Sequence, residues 1–308
     1  MTPGRARCST LAALLPLWFV GLDGQGQVFR SETRLVVLHA TVTNGSGELV
    51  TNLEQRAFTV FENGKRQPIA IFRRDDIPVS LGLLIDNSGS MRSLRPKVEA
   101  AALAFARASN PQDEMFVLNF ADKPRLDVPM TSDIRVLEAG IGRVDSIGGT
   151  ALRDAVERGE GYLRDHAKQD CRVLLVITDG NDNASATKID SIRQQAERDG
   201  TVIDAIGLFA GQESNRANTG RHELQELTAQ TGGVVYFPTS VEQIESVAVD
   251  LAHQIRNQYT IAYAPIKQAL DGSYRTIRLT VTGSDHYKVR TRAGYRAVSD
   301  SRGNKPVH

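Results

Sequence analysis

The chain reads as an α/β protein: a doubly wound, mostly parallel sheet flanked by two β segments. Three observations predict it. Apolar strands alternate with helical stripes from Val79 to Asn257, a span of about 180 residues that suits strand–helix–strand units. Residues 173–177, Val-Leu-Leu-Val-Ile, form the continuous apolar run of a strand covered on both faces. On either side of this span the rhythm changes to short β-rich runs separated by turn residues.

The N-terminal flank is read first. Residues 35–43 are rich in β-branched side chains and end at the turn Asn44-Gly45-Ser46-Gly47. Asn63-Gly64 lies between two further β runs, and a two-residue hairpin favours this pair because both positions must tolerate positive φ. Residues 27–77 therefore read as three or more antiparallel strands.

From Val79 the elements alternate. Residues 79–85 form an apolar strand, and Leu94, Val98, Ala101, Ala102 and Phe105 mark an amphipathic helix over 93–109. A strand follows at 115–120. Helical stripes run through Ile134, Leu137, Ile141 and Val144, and through Leu152, Ala155, Val156 and Leu163. After the strand 173–177 come a helix at Ile189, Ile192 and Ala196 and a strand at 202–208. Leu224 and Leu227 suggest a short helix, residues 234–237 a strand, and Ile244, Val247, Leu251 and Ile255 the last helix.

The C-terminal flank returns to β at 259–263, 276–282 and 287–290, the second with clean period-two alternation. Lys288, Arg290, Arg292 and Arg296 read as a solvated face. Neither flank is long enough to bury a good core alone. The expectation is one small β-sandwich built from both, with the α/β unit inserted between its strands. The divisions are a signal peptide at 1–26, an N-terminal β segment at 27–77, the α/β domain at 78–258, a C-terminal β segment at 259–297 and a disordered tail at 298–308.

The first 26 residues have the pattern of a secretory signal. Arg5 and Arg7 precede an apolar stretch at 11–22, and Gly24 and Gly26 offer small residues for cleavage. An uncleaved anchor is the other reading. After cleavage no stable membrane span is expected, and the protein is placed as secreted, periplasmic or on the cell surface. Cys8 precedes the apolar stretch, which argues against lipidation there. Cys171 would be the sole cysteine of the mature chain, so no intrachain disulfide forms. It reads as a small core or edge residue. A net charge of +1 gives no argument for nucleic acid as a partner.

The chemistry concentrates in three segments. Asp86-Asn87-Ser88-Gly89-Ser90 follows the first apolar strand, Gly148-Gly149-Thr150 stands at a loop-to-helix junction, and Thr178-Asp179-Gly180 follows the strand ending at Ile177. In a doubly wound sheet all three lie on the rim at the strands' carboxyl ends, where ligands bind. Two carboxylates and three hydroxyls form a hard oxygen donor set, suited to Mg²⁺, with Mn²⁺ or Ca²⁺ as alternatives. Singly, such residues are often helix caps. Five on one rim exceed what capping requires.

The set Asp86, Ser88, Ser90, Thr150 and Asp179 resembles the metal-ion-dependent adhesion site (MIDAS) of the von Willebrand factor type A family, in its secreted bacterial branch. The resemblance covers residues 79–257, with no departure at the five positions. It implies a Rossmann-like fold with the metal at the top of the sheet. It also implies that these five residues hold the ion directly or through water, and that the module binds an acidic residue of a protein partner.

Asp182 and Asn183 either support the site from behind or form a polar loop; the loop is the favoured reading, and both are left out of the site. Arg153 and Asp154 either shape the partner surface or pair with each other. An enzyme is not expected: there is no G-x-S-x-G elbow, H-E-x-x-H or phosphate loop, and the six histidines are scattered. The alternative to metal-dependent adhesion is a structural or assembly subunit acting through its β flanks, with the metal structural. The identity of the partner and the oligomeric state stay open.

Overall fold

In the computed structural model the described residues are 35–298, apart from 75, 143–146, 181, 210–213 and 284–285. The expected signal segment, with Cys8, and the tail from 299 lie outside them, as does Val144. The described residues fall within one compact unit.

The α/β part is a six-stranded sheet. β5 (Val79–Asp86), β6 (Glu114–Phe120), β8 (Cys171–Thr178), β9 (Val202–Gly207) and β10 (Val235–Tyr236) run parallel. β7 (Pro124–Thr131) pairs antiparallel with β6 at the edge. The order is β10-β9-β8-β5-β6-β7. From β5 the chain moves outward to β6 and β7, then crosses back to β8 on the other side of β5. That reversal is the topological switch point of the sheet, and it opens a crevice at the carboxyl ends of β5 and β8.

β5 is buried along its whole length, and alternate residues enter opposite cores. Leu81, Leu83 and Ile85 pack with Val98, Ala102 and Phe105 of α1 (Arg95–Ala108) and with Ala248 and Leu251 of α6 (Gln243–Arg256). Leu84 faces the other layer. It shares a core there with Leu152 and Val156 of α3 (Leu152–His166), Ile192 of α4 (Ile189–Asp199) and Leu224 of α5 (Asn215–Thr231). Each such side chain contributes about 1.5–3 kcal/mol on full burial. α2 (Ile134–Ile141) adds Leu137 and Ile141 beside α1. α5 is a long helix rather than the short one expected, because its first turns are polar and carry no apolar stripe.

The two flanks share two antiparallel sheets. One has the order β13-β1-β11-β4, with β1 at Val36–Thr43, β4 at Ile69–Arg73, β11 at Tyr259–Tyr263 and β13 at Lys288–Arg290. The other has the order β14-β12-β2-β3, with β2 at Phe58–Glu62, β3 at Lys65–Gln67, β12 at Tyr274–Val281 and β14 at Gly294–Arg296. Strands of the N-terminal flank pair with strands of the C-terminal one in both sheets. Leu38, Phe58, Val60, Tyr259, Ile261 and Leu279 form their common core. The β2–β3 hairpin turns at Asn63 (φ 47°) and Gly64 (φ 76°), the expected positive-φ pair.

A buried ionic knot sits in this sandwich. Glu62 accepts hydrogen bonds from the hydroxyls of Tyr263 (2.8 Å) and Tyr295 (2.9 Å) and pairs with Arg275 at 3.3 Å. Arg275 also donates to the carbonyls of Lys267 and Ala269, bracing the β11–β12 connection.

The expected solvated face is corrected. Of Lys288, Arg290, Arg292 and Arg296, only Lys288 is fully exposed. Arg290 donates to Gln254 on α6 (2.9 Å), Arg292 to the Val37 carbonyl (2.8 Å), and Arg296 to Glu197 on α4 (3.0 Å). Arg290 and Arg296 therefore tie the sandwich to α6 and α4 of the α/β part, while Arg292 links the C-terminal flank to β1.

Candidate functional site

Asp86 is the last residue of β5, and its carboxylate folds the chain that follows. Its Oδ1 accepts the Ser88 N–H at 2.8 Å, the Asx turn that an Asp two residues ahead commonly makes. The Asn87 N–H reaches across to the Phe120 carbonyl at 2.7 Å, anchoring the turn on β6. A 3-10 turn, Gly89–Ser93, then brings the Ser90 hydroxyl to 3.1 Å from that of Ser88. Asp86 and Ser88 are buried, and Ser90 is exposed at the mouth.

The second segment is stitched to the first by main chain. The Gly89 N–H donates to the Gly148 carbonyl and the Ile147 N–H to the Asn87 carbonyl, each at 3.1 Å. Two side chains then fix the approach to Thr150. Asp122, at the tip of the β6–β7 hairpin, accepts the Gly149 N–H at 2.6 Å, and Asn183 Oδ1 accepts the Thr150 N–H at 2.9 Å. Thr150 is buried and its carbonyl accepts the N–H groups of Asn183 and Ala184.

The third segment follows β8, the hydrogen-bonded neighbour of β5. The Thr178 hydroxyl donates to Asp86 Oδ2 at 2.6 Å and accepts the Gly180 N–H at 2.9 Å. Gly180 has φ +72° and packs against Gly220 of α5, where a Cβ on Gly220 would stand 2.5 Å from the Gly180 carbonyl oxygen. This close approach sets the turn that carries Asp179.

Direct contacts therefore join Asp86, Ser88 and Ser90. Thr150 comes to the same rim through the Gly89–Gly148 bond, and Asp179 through the pairing of β5 with β8. Burial pushes the Asp86 carboxyl up to about 6; the Thr178 and Ser88 bonds oppose that and the Asp179 charge adds to it. Both Asp86 oxygens already accept one hydrogen bond, which leaves each a further lone pair. Among the described residues no group of three His, Cys, Asp or Glu side chains is arranged to hold a metal ion. Two acids among hydroxyls instead make a hard, low-charge donor set, which fits a divalent cation that keeps some of its water.

Asp122 escaped the sequence reading altogether, and Asn183 and Thr178 were named there without a place in the site. The signals for those two were their places, Thr178 just before Asp179 and Asn183 shortly after it. Asp182 and Asn183 form more than a polar loop, and Arg153 and Asp154 do not pair with each other. Arg153 pairs with Asp182 and Glu223, each at 3.2 Å, and Asp154 accepts the N–H groups of Ala186 and Thr187. Together these bonds lash the loop after Asp179 to the start of α3. Cys171 is buried, and burial pushes its thiol up to about 12, which makes it inert at neutral pH.

A doubly wound sheet with Asp-x-Ser-x-Ser at its switch point defines a recognisable class. Residues 81–181 match the family model of the von Willebrand factor type A domain. The structure of a von Willebrand factor type A protein from Catenulispora acidiphila is similar, with a TM-score of 0.52 at 12% identity, covering 88% of this chain and 75% of that one. Proximal thread matrix protein 1 from the mussel byssus, with zinc in its MIDAS motif, is similar with a TM-score of 0.50 at 18% identity, covering 63% of this chain and 50% of that one. At these identities the likeness is one of fold. No curated protein matches the chain in sequence.

Proposed function

We propose that this protein is a metal-dependent binding module whose rim, formed by Asp86, Ser88, Ser90, Thr150 and Asp179, holds a Mg²⁺ for the carboxylate of a protein partner. The observation that carries the reading is the convergence of three loops at the switch point, joined by the Gly89–Gly148 bond and by the Thr178 hydroxyl on Asp86. Zinc in the MIDAS motif of the mussel protein supports a divalent ion on this fold. Mn²⁺ and Ca²⁺ suit the same oxygen donors.

The bound ion would supply a Lewis-acidic position for an incoming carboxylate. The chain does the rest. Asp86 and Asp179 balance positive charge, Ser88, Ser90 and Thr150 complete the oxygen set, and Asp122 and Asn183 hold the Thr150 loop in place. The ring nitrogens of His39 and His166 face Thr260 and the Tyr162 carbonyl rather than the serines, and we assign the rim no bond-breaking role.

The N-terminal pattern supports a secreted, periplasmic or cell-surface protein, and we divide the chain at 26, 77, 258 and 297. Among the described residues no helix is long and apolar enough to cross a membrane.

Immobilised full chain should retain an Asp-containing peptide in Mg²⁺ and release it in EDTA. Retention in EDTA would contradict carboxylate capture through the ion.

A further inference from the structure

One side of the sandwich is left open by its own strands. β3 ends one sheet and β4 ends the other, and Pro68 carries the chain between them. A terminal strand has a row of backbone N–H and C=O groups without ladder partners. Beside these edges runs a furrow. A cavity of about 690 Å³ is lined by Gln55, Arg56, Phe58, Arg66, Pro68 and Ile69, among others. A second of about 330 Å³ is lined by Glu54, Gln55, Phe72, Arg73 and Arg74. Gln55 lines both, which joins them along β4. At roughly 3.3 Å per residue, five-residue β4 is about 17 Å long, the length of an equally short extended peptide.

The furrow has an apolar floor and a cationic rim. Phe58 belongs to the sandwich core, and Ile69 and Phe72 pack against it. Lys65, Arg66, Arg73 and Arg74 are exposed, and none forms an ion pair among the described residues. The acid at the furrow, Glu54, is taken up by Arg56 at 2.9 Å. Asp76, two residues past Arg74, is engaged by Arg256.

Lysine and proline on an edge blunt it against its own kind. A second copy bringing the same four cations is repelled. A strand that alternates acidic and apolar residues meets opposite charge, open backbone groups and an apolar floor together. We propose that this furrow docks an extended acidic–apolar segment of a protein partner, added as a strand along β4. Its carboxylates meet Arg66, Arg73 and Arg74, and its alternate side chains rest on Phe58, Ile69 and Phe72. No residue of the furrow belongs to the Asp86 rim, so this contact is independent of metal.

The test is fluorescence polarisation of the full chain with labelled acetyl-Glu-Val-Glu-Val-Glu-amide, run in EDTA so that the metal-dependent reading plays no part. Binding is expected in EDTA, weakening about tenfold from low to high salt. The double variant Arg66→Glu/Arg73→Glu should lose it by at least about tenfold while keeping the wild-type circular dichroism. The Glu-Pro-Glu-Pro-Glu analogue, which has the charge but lacks the valines' N–H donors, should bind much more weakly. Equal binding of the proline analogue, binding unaffected by the double variant, or no binding in EDTA would each overturn the proposal. So would a dimer of the chain that the double variant abolishes.

Discussion

The Thr178 hydroxyl lies 2.6 Å from Asp86 Oδ2, one strand over in the sheet, and donates to it. This bond joins the end of β8 to the end of β5 and places the neighbouring Asp179 beside the same carboxylate.

Replacing Thr178 with valine removes that donor and keeps the shape. A hydrogen bond to a charged group is worth about 1.5–3 kcal/mol. Thr178→Val should therefore raise the Asp86 pKa further and weaken Mg²⁺ binding by about tenfold or more. Calorimetric titration reads this directly; unchanged affinity would mean that the hydroxyl is dispensable.

Gly220 and Gly161 should respond in opposite directions. A Cβ at Gly220 would press on the Gly180 carbonyl, whereas one at Gly161 meets only the end of Arg164 at 3.6 Å. Gly220→Ala should destabilise by about 1–3 kcal/mol as a small-to-large change at a tight contact and disturb the Asp179 turn. Gly161→Ala, inside α3, should stabilise by about 0.5–1 kcal/mol. Urea denaturation of both variants checks the pair.

Glu160 predicts an alkaline weakness. It is fully buried on α3, and neither carboxylate oxygen meets a hydrogen-bond donor among the described residues. Burial, with help from the Asp199 charge, pushes it up to about 9 from 4.5. The unfolded chain therefore ionises first, and stability falls as pH rises between those values, by up to about 1.4 kcal/mol per pH unit. Glu160→Met, which cannot ionise, should flatten this dependence. Thermal melts at pH 6 and pH 8.5 would show it as a smaller loss of Tm in the variant.

Arg275→Met should be among the most damaging single changes in the sandwich. It strands the buried Glu62 carboxylate, and breaking a buried pair costs about 3–5 kcal/mol. The loss should appear as a lower denaturation midpoint and as easier proteolysis of the 264–273 connection that Arg275 braces.

Much of this architecture was written locally. The apolar run of β5, the Asn63-Gly64 turn and the helical stripes each depend on neighbours within a few residues. β7 was hidden because Pro124 and Pro129 punctuate it, and an edge strand tolerates proline. The roles of Arg290 and Arg296 were illegible because period two gives a strand its faces without saying what lies against them. At the rim, Asp86, Ser88, Ser90, Thr150 and Asp179 stood out as a motif. Asp122 and Asn183 did not, since they act on backbone groups 27 and 33 residues away.

The most direct measurement is calorimetric titration of the full chain with Mg²⁺ and with Mn²⁺, beside Asp86→Ala. A saturable heat in the wild type that disappears in Asp86→Ala is the predicted result. Equal heats in the two proteins, or none in either, would contradict the metal-dependent rim.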